Sequence, residues 1–334
     1  MSRVEIIVGD CRTALKQYAD GFFDACVTSP PYWGLRDYGV DGQMGLESTL
    51  DEFVSELVAL LREVRRVLSN SGTLWLNLGD SHASDGGSGY QGVGGVRSDR
   101  RHTQKTLIKN GKSASGLKPK NLMGIPWRVA FALQADGWYL RQDIIWHKPN
   151  AAPESATDRP TKAHDYLFLL SKCERYYYDN EAIKEPTTGG AHPRRSKNHP
   201  SVWGAPGQPK GPIDLNRPGV HPKSIAAPRG VRANASFSAA VTEIVKVRNK
   251  RSVWTIPTQA CRDAHFATFP EALVKPCILS GVRPGGWVLD PFGGSGTTAL
   301  VAVQNGRNAV MIELNPDYAD IANRRLAVQT GLAL

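Results

Sequence analysis

The chain of 334 residues has few cysteines, and they are too scattered to suggest a metal site or a disulfide framework. The spacing of the five cysteines matches neither a Cys-x-x-Cys pair nor the cysteine and histidine pattern of a zinc site. They are Cys11, Cys26, Cys173, Cys261 and Cys277. The sequence also lacks an apolar run long enough to span a bilayer and the apolar segment of a secretory signal. We therefore expect reduced thiols, no metal, no membrane association and a cytoplasmic protein.

Acidic residues are in the minority, since 31 of them stand against 41 lysine and arginine residues, for a formal net charge of +10. The excess of positive charge is concentrated in two segments rich in glycine, proline and serine. Residues 186–252 contain 12 basic and two acidic residues, and residues 81–120 contain eight basic and two acidic residues. Because basic side chains release counterions when they bind phosphates, this distribution favours a polyanionic partner. Solvated loops without a partner are the alternative interpretation.

Apolar patterning predicts strands that alternate with helices along most of the chain. The predicted strands are 4–8, 23–27, 73–78, 139–146, 166–170, 287–290 and 309–313. The predicted helices are 11–18, 50–68, 125–135, 270–280, 297–305 and 316–330, with Ser71-Gly72 as the stop signal after the second. This alternation predicts an α/β fold with a doubly wound, mostly parallel, Rossmann-like sheet.

The segment 186–252 is too long for an ordinary connection within such a domain. We therefore predict one catalytic and cofactor-binding domain, formed by residues 1–185 and 253–334, with residues 186–252 as an inserted target-recognition region. Residues 81–120 are predicted to form a flexible basic loop, which would be ordered only when a partner binds.

Two short motifs near opposite ends of the chain contain the residues best suited to chemistry. Thr-Ser-Pro-Pro-Tyr occupies residues 28–32, directly after the strand predicted at 23–27. Asp-Pro-Phe-Gly-Gly-Ser-Gly-Thr-Thr occupies residues 290–298, between a predicted strand and a predicted helix. A glycine-rich turn before a helix brings backbone N–H groups close to a ligand. The sequence lacks a Gly-x-Gly-x-x-Gly motif after its N-terminal strand, which argues against a nicotinamide-dependent oxidoreductase.

Together the two motifs resemble those of the DNA amino-methyltransferases, and their order is similar to that of the permuted β group of this family. The resemblance implies a methyltransferase sheet that moves a methyl group from S-adenosylmethionine to an exocyclic nitrogen of a base in double-stranded DNA. It also implies that the catalytic residues are Ser29, Pro30, Pro31 and Tyr32. In this interpretation Ser29 Oγ and the Pro30 carbonyl accept hydrogen bonds from the target amino group, and Tyr32 stacks on the base.

The same resemblance implies a set of cofactor-binding residues. The glycine-rich motif would surround the methionine part of the cofactor, Asp10 would contact the adenine amino group, and Glu313 would bind both ribose hydroxyls. The implied set is Asp10, Phe269, Asp290, Phe292, Gly294, Gly296, Thr298 and Glu313. An ordinary Gly-Asp turn is the alternative for Asp10, and a helix N-terminal acid is the alternative for Glu313.

The identity of residue 29 bears on the substrate. In the family that the chain resembles, serine at this place is typical of cytosine-N4 enzymes and aspartate of adenine-N6 enzymes; serine brings no charge. The sequence therefore favours cytosine N4, with adenine N6 as the first alternative. The same chemistry on RNA or on a protein glutamine, and an inactive DNA-binding protein, are further alternatives.

A base in a duplex must be flipped out before its amino group can enter such a site. Aromatic rings can hold the flipped base, and arginines can read guanine or bind phosphate. The candidates for DNA contact are Trp33, Arg36, Arg194, Arg195, Arg229, Arg232, Arg248 and Arg251. The sequence contains no evident nuclease segment, so a partner restriction endonuclease would be a separate protein.

Overall fold

The structure is a computed structural model that describes residues 2–35, 37–83, 116–187, 247–260, 267–268 and 270–330. Several candidates from the sequence lie outside the described residues, namely Arg36, Arg194, Arg195, Arg229, Arg232 and Phe269. The chain divides into two compact units, of which the larger contains Met1–Ile183 and Arg251–Leu334 and the smaller contains Lys184–Lys250.

Helices alternate with strands along the larger unit, as the apolar pattern predicts. Its first half contains β1 (Val4–Val8), α1 (Cys11–Ala14), β2 (Phe23–Thr28), α2 (Leu50–Val67), β3 (Leu68–Leu78), α3 (Ile125–Ala135), β4 (Tyr139–His147) and β5 (His164–Ser171). The smaller unit contributes the short pair β6 (Glu185–Pro186) and β7 (Val247–Arg248). The larger unit then continues with β8 (Val253–Thr255), β9 (Gln259–Ala260), β10 (Ala267–Thr268), α4 (Glu271–Gly281), β11 (Trp287–Asp290), α5 (Thr297–Gln304), β12 (Asn308–Glu313) and α6 (Pro316–Thr330).

Eight of these strands form one sheet, in the order β1-β12-β11-β2-β3-β5-β4-β8. Every neighbouring pair is parallel except the two pairs that include β5, which runs against both β3 and β4. The prediction of a mostly parallel, Rossmann-like sheet is therefore confirmed. The last two strands, β11 and β12, lie between β1 and β2, so both ends of the chain build the middle of the sheet.

Apolar side chains cover both faces of the sheet, as expected for parallel strands. Along β3, Leu74 and Leu76 belong to the cluster that packs against α2 and α3, whereas Trp75 belongs to the cluster on the opposite face. Successive strand residues point to opposite faces, so this alternation follows directly from the sequence of β3.

The boundary between α2 and β3 differs from the prediction. The helix begins at a capping box, in which Thr49 and Glu52 bond each other's backbone N–H groups, and it ends at Val67. The strand begins at the next residue, because Leu68 pairs with Phe23 before the register shifts to Ala25 and Thr73. Ser71-Gly72 therefore lies in an irregular part of β3 and does not stop the helix.

The described helices include none that is both long enough and apolar enough to cross a membrane.

Candidate functional site

The two motifs meet at the carboxyl ends of two neighbouring strands in the middle of the sheet. Strands β2 and β11 are parallel neighbours, with Ala25 opposite Val288 and Cys26 opposite Leu289, so their carboxyl ends lie side by side. At this carboxyl edge of the sheet Thr28 Oγ1 donates a hydrogen bond of 2.7 Å to Asp290 Oδ1, across 262 residues of sequence. Ligands of open parallel sheets bind outside the carboxyl ends of the strands, which is where this bond lies.

Asp290 connects the two motifs through a carboxylate that is only 1% exposed. Its Oδ1 also accepts from the backbone N–H of Phe292 at 3.1 Å, and its Oδ2 accepts from Thr298 Oγ1 at 2.6 Å. Burial raises the pKa of Asp290, and the bonds from Thr298, Thr28 and Phe292 oppose that rise. The protein's own donors thus engage both carboxylate oxygens, and the observed contribution of Asp290 and Thr298 is to hold the turn in place.

The glycine-rich turn combines left-handed backbone with tight packing at two of its glycines, Gly293 and Gly296. Gly294 has a φ of +52° and Gly296 a φ of +81°, a backbone region that glycine adopts without strain. A Cβ on Gly296 would lie 2.8 Å from the Cβ of Ala322 in α6, and one on Gly293 would lie 2.5 Å from Met311 Cε. Helix α5 starts after Gly296 without a side-chain cap, so its first N–H groups have no side-chain acceptor. This turn is a suitable cradle for an anionic or polar ligand.

Glu313, at the end of β12, is tied to the same turn. Its Oε2 accepts from Gly294 N at 2.7 Å and its Oε1 accepts from Asn315 N at 2.8 Å. Burial raises the pKa of Glu313, while the bonds from Asn315 and Gly294 oppose the rise. An ionised carboxylate has about four acceptor positions, so it can still accept from two hydroxyls of a ligand. The ribose role of Glu313 stays a prediction that this geometry permits.

Asp10, the remaining acid of the predicted cofactor set, is engaged by a neighbour. It caps α1, and the Arg12 guanidinium approaches its Oδ2 to 2.7 Å, which lowers the pKa of Asp10. Arg12 also donates to the Gly42 carbonyl at 2.8 Å, which ties this end of β1 to the segment after the catalytic motif. The ring of Phe292, from the same set, packs against the core.

The catalytic motif is part of a hydrogen-bonded chain that the sequence did not indicate. Asn77 Nδ2, at the end of β3, donates to both Ser29 Oγ and Tyr32 Oη, each at 3.1 Å. Tyr32 Oη donates to Asp165 Oδ2 at 3.1 Å, and Lys148 Nζ forms an ion pair with the same oxygen. The sequence signal for Asn77 was its position as a polar residue between two apolar ones, Leu76 and Leu78. Asp165 became part of the site only because β5 is antiparallel to its neighbours.

Tyr32 is held as a neutral ring. Burial and the charge of Asp165 raise the pKa of Tyr32 well above its ordinary range. The ring lies directly on the backbone of Gly79, where a Cβ would be 2.4 Å from Tyr32 Cε2. Within the motif Pro30 is buried, whereas Ser29, Pro31 and Tyr32 are partly exposed and therefore accessible to a ligand.

Three of the predicted DNA contacts lie within the described residues. Trp33 is 5% exposed, packs in the core and donates from Nε1 to the Glu47 carbonyl at 3.0 Å, so this structure presents little of its ring to DNA. Arg248, in the smaller unit, pairs with Glu185 at 2.8 Å. Arg251 belongs to the larger unit and is exposed.

Cys11 and Cys26 are buried free cysteines in the described part of the chain. Burial raises the pKa of Cys11 to about 12 and the pKa of Cys26 well above its ordinary value, so both thiols are protonated at neutral pH. The described part of the chain contains no group of three or more histidine, cysteine, aspartate or glutamate side chains that could hold a metal ion.

Comparison with known proteins gives matches along nearly the whole chain. Residues 23–324 match the family model N6_N4_Mtase, described as DNA methylase. The Type II methyltransferase M.Cfr9I of Citrobacter freundii is 43% identical over 95% of this chain and 86% of its own length. The Type II methyltransferase M.SmaI of Serratia marcescens is 44% identical over 96% of this chain and 90% of its own length.

Solved structures show the same fold at lower identity. The cytosine-N4-specific PvuII DNA methyltransferase superposes with a TM-score of 0.58 at 17% identity, over 96% of this chain and 86% of that one. A DNA modification methylase of Thermus thermophilus, TTHA0409, was solved as a complex with S-adenosyl-L-methionine. It gives a TM-score of 0.55 at 22% identity, over 99% of this chain and 96% of that one.

Proposed function

This chain belongs to the DNA methylase family of N6 and N4 enzymes, and from that premise we propose that it methylates the exocyclic N4 of a flipped-out cytosine in double-stranded DNA. S-adenosylmethionine is the methyl donor, the ligand with which the structure of TTHA0409 was solved. One observation carries the proposal: the hydrogen bond from Thr28 to Asp290 joins the motif with amino-group acceptors to the motif with the ligand cradle. A methyl donor and a methyl acceptor can therefore occupy neighbouring positions at one sheet edge.

The residues at this edge fit S-adenosylmethionine. Gly294 leaves open space for close approach to the backbone, and the start of α5 offers N–H groups without a side-chain cap. Glu313 presents a carboxylate to ribose hydroxyls, and Asp10 lies at the end of β1, one strand away. When bound, the cofactor supplies a methyl group attached to a positively charged sulfur.

The protein's part in the reaction is to make the amino nitrogen a better nucleophile. The lone pair of an exocyclic amino group is delocalised into the base ring, which opposes attack on a methyl group. Ser29 Oγ and the Pro30 carbonyl are acceptors for the two N–H bonds, and they stabilise the positive charge that develops on nitrogen. The nitrogen then loses one proton, through Ser29 or directly, to solvent. Tyr32 holds the base by stacking, which a neutral ring does without repelling it.

The preference for cytosine depends on the charge at residue 29. The Ser29 hydroxyl is uncharged and receives a bond from Asn77, which leaves an oxygen lone pair for an amino hydrogen. The PvuII enzyme, which shares this fold, is cytosine-N4-specific, which is consistent with that choice. Adenine N6 is the alternative, because it needs the same acceptors.

DNA recognition is assigned to the basic segments. We propose residues 186–252 as the target-recognition region and residues 81–120 as a second DNA-facing loop, because their basic excess suits a phosphate backbone. The candidates Arg248 and Arg251 lie at the end of the first segment. The Type II names of the two relatives suggest a separate restriction endonuclease with the same target.

The test is to identify the modified base. The purified protein is incubated with S-adenosylmethionine and unmethylated bacterial DNA, the DNA is digested to nucleosides, and the products are separated by mass spectrometry. A Ser29→Ala protein prepared in parallel serves as the inactive reference. N4-methylcytosine is the expected product; N6-methyladenine would overturn the choice of base. A digest without methylated nucleosides would overturn the proposal itself.

A further inference from the structure

Asn77 is a polar residue in an apolar environment. It lies between Leu76 and Leu78 at the end of β3 and is 2% exposed. Its Nδ2 donates to Ser29 and Tyr32, whereas its Oδ1 is buried and has no hydrogen-bond partner among the described residues. An amide with an unsatisfied oxygen is a costly residue to bury, since the oxygen has lost its hydration without gaining a donor.

Stability alone does not account for this residue. A leucine side chain branches at the same carbon as an asparagine side chain, and it would bury no unsatisfied oxygen. On the same face of β3, two residues earlier, Trp75 packs in an apolar cluster, so an apolar side chain at position 77 is compatible with this face of the sheet. An unsatisfied buried group in a native protein calls for a functional explanation, and the two atoms that Asn77 contacts supply one.

The bonds of Asn77 fix the two groups that must face the target base. The hydroxyl of a serine rotates freely in the absence of partners, and its lone pairs rotate with it. The N–H of Asn77 engages one lone pair of Ser29 Oγ, which sets the direction of the remaining one. The other N–H of the same amide bonds Tyr32 Oη, so one planar group sets the position of the acceptor relative to the stacking ring.

Asp165 gives this arrangement a single direction. Its Oδ2 accepts from Tyr32 Oη and is also paired with Lys148 Nζ, which lies 4.4 Å from the centre of the Trp146 ring. Because a carboxylate only accepts, the Tyr32 hydrogen must point towards Asp165. The Tyr32 oxygen is then free to accept from Asn77, which in turn donates to Ser29. The chain of bonds therefore runs from the β4–β5 pair through Tyr32 and Asn77 to Ser29.

We propose that Asn77 and Asp165 are positioning residues for methyl transfer, which set the lone pair of Ser29 and the ring of Tyr32 before the target base enters. The inference rests on the proposed function, in which Ser29 accepts from the amino group. It assigns a role to two residues outside the catalytic motif, one from β3 and one from the antiparallel strand β5. Orientation in advance lowers the barrier, because the entropy cost is not incurred during the reaction.

The central experiment compares Asn77→Leu with Thr73→Val. Thr73 is buried on the same face of β3, four residues earlier, so its variant controls for loss of a buried polar group in this strand. For Asn77→Leu we expect kcat to fall about 10- to 100-fold, as for a small misplacement of reacting groups. KM for both substrates should change by less than about threefold, and the melting temperature should stay equal or rise, because the unsatisfied oxygen is gone. Thr73→Val should retain the wild-type kcat.

Two outcomes of this comparison would overturn the inference. A wild-type kcat in Asn77→Leu would show that the amide orients nothing that matters. A fall in kcat that parallels a fall in melting temperature would show a purely structural role.

Replacing the amide of Asn77 with a titratable carboxyl group provides a second test of its role. In Asn77→Asp, a carboxylic acid can donate to Ser29 or Tyr32 only while it is protonated. We therefore expect kcat of this variant to decline as pH rises through the pKa of the new acid, over a range in which the wild-type kcat is flat. For Asp165→Asn, whose amide can donate to Tyr32, we expect a lower kcat without that decline. Parallel pH profiles for wild type and Asn77→Asp would contradict the role of Asn77.

A crystal structure of Asn77→Leu separates this inference from the proposed function. The expected result is a Ser29 hydroxyl rotated from its wild-type position, with the bond from Tyr32 to Asp165 retained. An unchanged Ser29 rotamer would overturn the inference, whatever the substrate. A wild-type enzyme that leaves DNA unmodified would instead refute the proposed function, and the Ser29 rotamer would still decide whether Asn77 orients it.

Discussion

At the scale of single residues, the cofactor side of the site depends on two acids with different partners, of which Asp290 is buried and Glu313 partly buried. Asp290 accepts mainly from hydroxyls and joins the two motifs, whereas Glu313 accepts from the backbone of the glycine-rich turn. A change at Asp290 therefore affects the assembly of the site. A change at Glu313 affects the surface that faces the ligand.

The role of Glu313 predicts a large effect on cofactor affinity. In Glu313→Gln the side chain keeps its shape but loses its charge and half of its acceptor capacity. Hydrogen bonds to charged groups contribute about 1.5–3 kcal/mol, so we expect the Kd for S-adenosylmethionine to rise about 10- to 100-fold. Isothermal titration calorimetry measures this directly. Asp317→Asn, an exposed acid in the first turn of α6, is the matched control and should bind normally. Equal affinities in the two variants would rule out the ribose role.

The raised pKa of Glu313 also predicts a dependence of stability on pH. Burial raises this pKa above its ordinary value of 4.5, so the folded protein binds the proton more tightly than the unfolded chain. The stabilising contribution is therefore complete below the unfolded pKa and is lost as pH rises through the folded pKa. We expect the free energy of unfolding of wild type, minus that of Glu313→Gln, to decrease as pH rises from about 4. Urea denaturation without cofactor, at a series of pH values, tests this; a constant difference would contradict it.

At the scale of elements, the glycine-rich turn is constrained by two different requirements. Gly294 needs a left-handed backbone but has open space, since the nearest atom to an added Cβ is 4.0 Å away. Gly296 needs the same backbone and also lies against Ala322 of α6. A substitution at Gly294 therefore incurs mainly the cost of the left-handed backbone, whereas one at Gly296 also incurs the cost of the steric clash with α6.

Asparagine substitutions distinguish these costs, because asparagine tolerates the left-handed region better than other side chains. We expect Gly294→Asn to lower the free energy of unfolding by less than about 1 kcal/mol. Gly296→Asn should lower it by about 2–4 kcal/mol, because α6 must move away from the turn. Chemical denaturation of both variants provides the comparison. Equal losses would show that the contact between the turn and α6 contributes little.

Most elements could be predicted from the sequence, because each carries its own periodicity and its own end signals. Helix α2, with its capping box and apolar stripe, is the clearest case. The exceptions depend on tertiary pairing. Leu68 belongs to a strand because it pairs with Phe23, and the residues around Leu68 in the sequence do not indicate this pairing. The burial of Trp33 is likewise determined by the carbonyl of Glu47 and the surrounding core.

Of the candidate site, the sequence indicated only the parts that form a contiguous motif. Residues 28–32 and 290–298 were recognisable because each places its chemistry on one turn. The hydrogen-bond partners of Ser29 and Tyr32 come from elsewhere: Asn77 from β3 and Asp165 from a strand whose direction was not evident. A side chain that acts through hydrogen bonds across a sheet leaves only a weak sequence signal, namely a polar residue in an apolar run.

At the scale of the whole molecule, the net charge of +10 predicts binding that depends strongly on salt. If the basic segments engage about 6–10 phosphates, affinity for duplex DNA should fall about 10³- to 10⁵-fold between about 50 and 200 mM salt. Fluorescence anisotropy with a labelled duplex gives the slope. The affinity for S-adenosylmethionine, whose predicted site contains buried acids, serves as the internal control and should change little. A shallow slope for DNA would show that the basic segments do not contact the backbone.

The order of strands also determines how late in synthesis the central sheet can be completed. Strands β1 and β2 leave the ribosome first, but they are separated in the sheet by β11 and β12, which are made last. A nascent chain must therefore keep an open slot between its first two strands until residue 313 has emerged. Such non-local pairing favours slow folding, with exposed strand edges in the meantime. Translation that stops within the long central segment yields a polypeptide with the catalytic serine but no methylation activity.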